Sequence, residues 1–502
     1  MGEQMGEQSE RIVILGSGIS GMCTALALAK RGLNITVLER DTPPPEGDAD
    51  KAFFEWSRRG ASQFRHPHAF LGLMCNLLEE NYPDLLEEFY AAGARRLDMQ
   101  EMLSPELQTH YSPEPGDEKI WVLLCRRATI ETVLRRYVER LPNIQVINGI
   151  SIDGVIADQT ENGSLAIRGL KVRRDCVERF GEAIEADVVV DASGRTTRIP
   201  GYFAELGAKV PEENDDAEIV YYTRHYQLNE GVEEPPRGGK DRSAGDLGYI
   251  KFGVFPGDAG SFAIIVCLHN NERELREAIK DGDTFDAVCR SIPGLAPWLV
   301  EGQYEPTTHP FGIGDIRAVW RHFVVEGKPL ALNYFAVGDA AIRTNPLYGR
   351  GCSTGILHAH LLAEVLTGSD DPVTRALDFD AQTEASLRPI FTTSLAEDRS
   401  GIRKALASAR GELLDKPDSF KKWFATAFGD ALAAASRYNL RVLRGVLRTV
   451  NLLEKPGAFL EDRKIRLIVF LYMLRGRKRN ASARIVRGPS RTEMLALIES
   501  DG

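Results

Sequence analysis

The first patterned stretch of the chain is an apolar run at residues 11–15 (RIVIL), which predicts a short buried strand. Gly16-Ser17-Gly18-Ile19-Ser20-Gly21 follows, then a helix of small residues at 22–30 and a second strand at 34–39, in the order of a βαβ unit. Residues 70–93 have helical spacing that Pro83 breaks in two. Residues 121–125 predict a strand. Ile130, Val133, Leu134, Tyr137, Val138 and Leu141 recur at helical spacing through 128–141. Strands then dominate: 145–147, 165–172 and 187–191, followed by 219–228, 249–255 and 262–268 around a Pro/Gly connector at 235–239, which predict an antiparallel sheet. One more strand at 334–337 precedes a helix that begins near Gly351 or Cys352 and runs to 366. After residue 375 strand signals stop, and the rest reads as a helical bundle or appendage.

At 502 residues the chain exceeds the usual single-domain size, and 43% apolar with 27% charged residues excludes a disordered or collagenous chain. Sixty-two Lys and Arg against 72 Asp and Glu give a net charge of −10, which argues against nucleic acid as a general partner. Seven scattered cysteines with no C-x-x-C pair spell out neither a disulfide framework nor a zinc site, and a reducing, cytoplasmic location is expected. The polar start, residues 1–10, predicts a disordered tail rather than a signal peptide. No apolar run reaches 18 residues; the longest, 467–474, has eight.

The G-x-G-x-x-G run carries chemistry because of its setting. It joins a strand to a helix, and Glu39 ends the next strand 18 residues past Gly21. Such a turn needs a glycine for tightness at Gly16 and for close approach of a pyrophosphate at Gly18. Gly21 serves helix packing, and a carboxylate at Glu39, with Arg40 beside it, serves the ribose hydroxyls. A dinucleotide is expected there. Two later segments narrow it: Val188-Val189-Val190-Asp191-Ala192-Ser193-Gly194-Arg195, and Gly338-Asp339-Ala340-Ala341 leading to Asn345-Pro346-Leu347-Tyr348-Gly349-Arg350-Gly351.

These three motifs, in this order over roughly residues 10–370, resemble the group A flavoprotein monooxygenases, the family of the aromatic hydroxylases and squalene epoxidases, whose wider relatives include flavin halogenases and geranylgeranyl reductases. The resemblance implies an α/β fold: a Rossmann-type FAD-binding domain made of 11–75, 118–200 and 325–370, a substrate domain with an inserted antiparallel β-sheet made of 76–117 and 201–324, and a helical region at 375–502. It implies that Asp339 accepts hydrogen bonds from the ribityl chain, that Pro346 lies against the flavin, and that Gly349 and Gly351, with Gly338, permit close backbone approach. It also implies that Arg127 contacts FAD and that Asp191 belongs to the second dinucleotide motif. Arg127 also fits a solvated helix-start cation.

Several residues depart from the family or leave choices open. Ala192-Ser193-Gly194 replaces the hydroxylases' more frequent Asp-Gly, a form associated with the halogenase and reductase side. The halogenases' W-x-W-x-I-P box is absent, since no two of the five tryptophans are two apart. Arg350 stands where relatives often carry Gln and places a cation near the flavin edge. His66 and His68, in a basic loop, either touch cofactor or are solvated, with Arg59 and Arg65 of that loop paired to the acidic stretch 46–50. No third ligand stands at metal spacing beside them, so no metal is expected. His66, His68 and Arg350 are the catalytic candidates, although a flavin carries the hard chemistry itself.

The implied activity is an FAD-dependent monooxygenase that uses NAD(P)H and O₂ to hydroxylate or epoxidise a hydrophobic small molecule through a C4a-hydroperoxyflavin. The alternatives are an FAD-dependent reductase of an isoprenoid-like substrate, then a halogenase. Substrate lining is expected from Tyr222, His225 and Phe252, with Tyr221, Tyr226 and Phe255 as further choices. Residues 463–487 hold nine Lys and Arg, no Asp or Glu, and the apolar run 467–474. They fit either an interfacial helix that makes peripheral membrane contact or a core-facing helix followed by a solvated basic turn.

Overall fold

A computed structural model describes residues 10–236, 241–412, 419–481, 483 and 486–500, so the tail expected at the start of the chain lies almost wholly outside the described residues. In chain order the elements that matter for the site begin with β1 (Ile12–Leu15), α1 (Ile19–Ala29) and β2 (Ile35–Glu39). Next come α2 (Gly72–Asn81), α3 (Pro83–Ala91), α4 (Arg127–Glu139), β3 (Ile144–Asn148) and β4 (Val188–Asp191). The second half holds β5 (Ile219–Leu228), β6 (Ile250–Pro256), β7 (Ser261–His269), α5 (Gly282–Arg290), β8 (Tyr334–Ala336) and α6 (Gly351–Gly368). The C-terminal helices are α7 (Pro372–Ala409), α8 (Phe420–Tyr438), α9 (Leu440–Val450), α10 (Arg463–Leu474) and α11 (Arg491–Ser500).

Five strands form a parallel sheet in the order β8-β4-β1-β2-β3. Its members are short and apolar because both faces are covered, as parallel strands require. On one face α1, α2, α4 and α6 bury Leu26, Leu28, Met74, Ile130, Leu134 and Leu362. On the other, Val13, Leu38 and Val189 meet Phe203, Trp320 and Phe391.

The second sheet is antiparallel, with β5, β6 and β7 at its centre. One face packs on α5 and α11 through Tyr222, Tyr226, Phe252, Phe285 and Met494, and the other carries Tyr221, Phe255 and Ile265 toward the first sheet.

Two boundaries differ from the sequence expectation. Within segment 76–117, expected in the substrate domain, Leu78, Leu85, Leu86 and Phe89 pack into the core of the parallel-sheet domain, whereas Met99, Leu103 and Leu107 cluster with Leu440, Leu443 and Leu447 of α9. The residues after 372 are only partly a separate bundle. Helices α8, α9 and α10 bury Ala431, Ala434, Val442, Ile465 and Val469 among themselves, whereas α7 lays Leu387, Ile390 and Phe391 on the parallel-sheet domain, and α11 seals the antiparallel sheet with Met494. No helix among the described residues is long and apolar enough to cross a membrane.

Candidate functional site

In β1, Leu15 lies opposite Leu38 of β2 and Asp191 of β4, so the turns that leave these strands open at one carboxyl edge of the sheet, where open α/β folds bind ligands. A cavity of about 530 Å³ runs from that edge to the inner face of the antiparallel sheet.

At its nucleotide end the glycines divide their work. Gly16 has φ +96°, and a Cβ there would meet the Ala192 carbonyl oxygen at 2.7 Å; a Cβ on Gly21 would stand 1.9 Å from the Gly16 oxygen. Both positions are closed by packing between the turns. A Cβ on Gly18 meets nothing within 4 Å, so this backbone is open to the cavity, and no side chain caps the first turn of α1. Free amide N–H groups at a helix start favour an anion.

Glu39 lines the same end. Its carboxylate accepts from the Ser17 amide at 2.9 Å, the Ser17 hydroxyl at 2.6 Å and the Asp41 amide at 2.8 Å, and Arg58 lies 3.1 Å away. Burial alone would raise its pKa; Arg58 and the donors reverse this and bring it down to about 2. Arg40 lines the cavity beside it, near Thr196.

Midway, Asp339 faces the cavity, and its carboxylate accepts no hydrogen bond from any described residue. Burial pushes its pKa up against the pull of Arg343, Arg127 and Arg195. A half-buried carboxylate without donors is costly, and hydroxyl donors from a ligand would complete it. Arg127 also lines the cavity, pairing with Glu131 at 2.5 Å and donating to His68 Nε2 at 2.9 Å.

His68 Nδ1 bonds the His66 carbonyl at 2.8 Å, so Nδ1 carries the proton and Nε2 the lone pair that Arg127 uses. Burial and Arg127 hold His68 neutral, well below the ordinary range. Burial, then His225, lowers His66 to about 4, and its Nδ1 is bonded to Thr223 at 2.9 Å.

The far end is walled by Tyr221, Phe255, Ile265 and Ile313 on the sheet side and by Pro346 to Gly349 opposite. Gly349 takes φ +65°, and a Cβ there would strike Ala69 at 2.6 Å, so the turn passes tightly over the histidine loop. Gly351 starts α6 with open space around it.

Gly16, Gly18, Glu39, Arg40, Arg127, Asp339, Pro346, Gly349, Gly351, His66 and His68 therefore share one cavity. Gly21 and Gly338 stand behind it as packing positions; a Cβ on Gly338 would lie 2.3 Å from Ser20 Oγ.

Four expectations change. Asp191 is fully buried outside the cavity, where its carboxylate accepts from the Ser193 amide at 2.9 Å, the Ser193 and Thr197 hydroxyls at 2.5 Å each and the Tyr334 hydroxyl at 3.2 Å; it builds the turn that presents Ala192 to Arg195. Arg350 points away from the cavity to α7, donating to Ser394 Oγ at 2.6 Å and lying 2.9 Å from Glu397. Tyr222 and Phe252, with Tyr226, face the opposite side of their sheet, and His225 is buried behind the histidine loop on the Arg65 carbonyl at 2.7 Å. Arg65 donates to the carbonyls of Phe53 and Phe54, and Asp50 pairs with Arg126 instead.

Other groupings emerge only in three dimensions. The Tyr348 hydroxyl donates to Asp398 of α7 at 2.9 Å, and Asp398 also accepts from Asn345 Nδ2 at 2.6 Å. Burial raises the Asp398 pKa against these donors. Arg195 and Arg343 add cationic lining near Asp339. Their spacing along the chain carries no signal of this grouping.

The residues fit an FAD: an open glycine turn at a helix start, an ionised acid at the second strand, an unsatisfied carboxylate midway and a second glycine turn at the far end. Comparison with known proteins agrees. Residues 11–140 match the family model described as FAD dependent oxidoreductase. The chain is 26% identical to Protein Rv3254 of Mycobacterium tuberculosis over 392 residues, 72% of this chain and 74% of that protein. The p-nitrophenol 4-monooxygenase PnpA from Pseudomonas putida DLL-E4 superposes with a TM-score of 0.56 and 17% identity, over 89% of this chain and 99% of its own. The flavin-dependent brominase Bmp2 superposes at 0.58 with 14% identity, over 93% and 98%. The last two likenesses are of fold.

Proposed function

Starting from an FAD-dependent oxidoreductase domain set in the fold of flavin monooxygenases, we propose that this protein uses NAD(P)H and O₂ to hydroxylate or epoxidise a hydrophobic small molecule. In this reaction one oxygen atom enters the substrate, the other leaves as water, and NAD(P)H supplies the two electrons. The observation that carries the reading is the apolar chamber at the far end of the cofactor cavity, walled by Tyr221, Phe255, Ile265, Ile313 and Leu347.

Bound FAD would supply electron transfer and oxygen activation. The chain's own residues would do the rest. Gly18 and the start of α1 bind phosphate, Glu39 holds the ribose, and Asp339 and Arg127 orient the middle of the cofactor. The chamber walls keep water from the reacting atoms. His66 and His68 stay neutral there, and Tyr348, backed by Asp398, offers a hydroxyl that can hold or pass a proton at the chamber wall.

The test is to purify the protein with FAD and screen hydrophobic phenols and isoprenoids for substrate-stimulated NAD(P)H oxidation, with ¹⁸O₂ label sought in the product. One labelled atom per turnover supports the proposal. Anaerobic turnover to a product without added oxygen would replace it with the reductase reading.

A further inference from the structure

The described surface holds thirteen large hydrophobic side chains that are markedly exposed, and nine of them lie between residues 420 and 474. Most belong to two helices of one small bundle. On α10 the buried residues Ile465, Val469 and Tyr472 face the bundle core, while Leu467, Phe470, Leu471 and Leu474 are 52–68% exposed. These four follow i, i+3, i+4, i+7 spacing and form one stripe. On α8, Phe420, Trp423 and Phe424 repeat the pattern at 43–78% exposure, with Phe420 and Trp423 stacked.

Charge marks what covers this face. Residues 420–487 contain 16 Lys and Arg against four Asp and Glu, a local +12 in a chain whose total is −10. Arg463, Lys464 and Arg466 are exposed on the first turn of α10, at one end of the stripe, and Arg475 and Lys478 are exposed past its other end. Of the acids nearest α10, Asp462 is spent on the helix cap and on Arg441. A soluble protein partner does not require both an apolar stripe and cations at its two ends; a bilayer with acidic headgroups does, since the stripe enters the acyl boundary while the cations meet phosphates. With 12 residues, about 18 Å of helix, α10 is too short to span a bilayer and suits lying in its surface.

The same bundle touches the cavity. Val450, the last residue of α9, lines it and is 51% exposed, and α9 packs on α8 and α10. Asn451, the next residue, accepts from the Gly72 amide at 2.8 Å and so ties the bundle to the start of α2 beside the histidine loop.

We propose that the exposed stripe of α10, with the basic residues at its ends and the aromatic turn of α8, seats this protein on an anionic lipid surface, with the Val450 edge of the cavity next to the bundle. This goes beyond the oxidation chemistry and holds whether the reaction is oxygenation or reduction.

The test is flotation of the full-length, FAD-reconstituted protein with phosphatidylcholine vesicles made with and without phosphatidylglycerol. Wild type is expected to float with the anionic vesicles, at least about tenfold more weakly with the neutral ones, and to be released by high salt. The triple variant L467S/F470S/L471S should lose binding to both. The variant R463Q/K464Q/R466Q changes only exposed cations; it should keep the wild-type melting temperature and bind anionic vesicles at least about tenfold more weakly. Failure of wild type to float overturns the proposal, as does equal flotation of either variant. Light scattering covers the remaining occupant: a wild-type dimer that the serine variant dissociates would assign the face to a second copy and also overturn it.

Discussion

Arg58 offers the sharpest test of the nucleotide end. Its side chain is 2% exposed and lies 3.1 Å from Glu39, 3.1 Å from Glu131 and 3.5 Å from Asp41, whose side chains are 0–5% exposed. Replacing it in Arg58→Met preserves much of the stem volume but strands Glu39 and leaves Asp41 only the exposed Arg59 at 3.6 Å, while Glu131 keeps Arg127. Breaking a buried ion pair from one side costs about 3–5 kcal/mol, mainly as uncompensated charge. The acid behaviour of Glu39 gives a second magnitude. Its pKa falls from an ordinary 4.5 to about 2 in the fold, worth about 3 kcal/mol of stability.

Because the unfolded chain binds that proton more readily, this contribution is full above pH 4.5 and drains away as pH falls toward 2. In the variant, burial is opposed only by the Ser17 and Asp41 donors, so Glu39 takes up its proton at a higher pH. Arg58→Met should therefore lose about 3–5 kcal/mol near neutrality, with the deficit shrinking as acid neutralises the stranded Glu39 carboxylate. Urea unfolding followed by tryptophan fluorescence across this pH range reads both effects, aided by Trp56, whose ring lies 4.8 Å from the Arg58 guanidinium. A variant as stable as wild type at neutral pH, or one with the same deficit at every pH, would refute the reasoning.

Three further substitutions separate fold from cofactor. Gly21→Ala places a Cβ 1.9 Å from the Gly16 oxygen and should cost about 3 kcal/mol in melts of the cofactor-free protein, whereas Gly18→Ala, with nothing within 4 Å, should leave those melts unchanged and weaken FAD in a fluorescence titration. Asp339→Asn removes a half-buried carboxylate without donors whose pKa is raised, so the cofactor-free protein should hold or gain stability at neutral pH while FAD affinity drops by about ten- to a hundredfold. Asp398→Asn should retain FAD but flatten the acid side of the turnover pH profile, because the elevated titration of that carboxyl, against the Tyr348 hydroxyl, is gone.

The cofactor half of the site was readable because its demands are local. Gly16, Gly18 and Glu39 answer to a turn and two strands within one βαβ unit, and Asp339 to a strand and the turn after it, so spacing along the chain is close to spacing in the fold. Arg350 shows where locality ends. Its position in the second glycine turn suggests the flavin edge, but its direction is set by Ser394 and Glu397, on a helix more than 40 residues later that lies outside the family resemblance. Arg58 is the same case inverted: a member of a basic loop whose role appears only when Glu39, Asp41 and Glu131 converge on it.

The substrate half was opaque for a different reason. Strand register is normally read from alternation, with apolar residues on the covered face and polar residues on the wet one. In β5 the eight residues from Ile219 to Tyr226 are all buried, because α5 and α11 cover one face and the cavity wall the other. Neither face is wet, so Tyr221 and Tyr222 present the same pattern although only Tyr221 meets the cavity. The helix that closes the outer face, α11, comes more than 260 residues after the strand. A shift of one residue in such a strand exchanges the entire lining, so the lining rests on a register held by the β5–β7 and β6–β7 ladders and by the seal of α5 and α11 on the outer face. Substitutions at Met494, far from the chamber and fully buried beneath β5 to β7, should therefore change which substrates are accepted without changing FAD affinity, as parallel substrate screens and flavin titrations on Met494→Ala would measure.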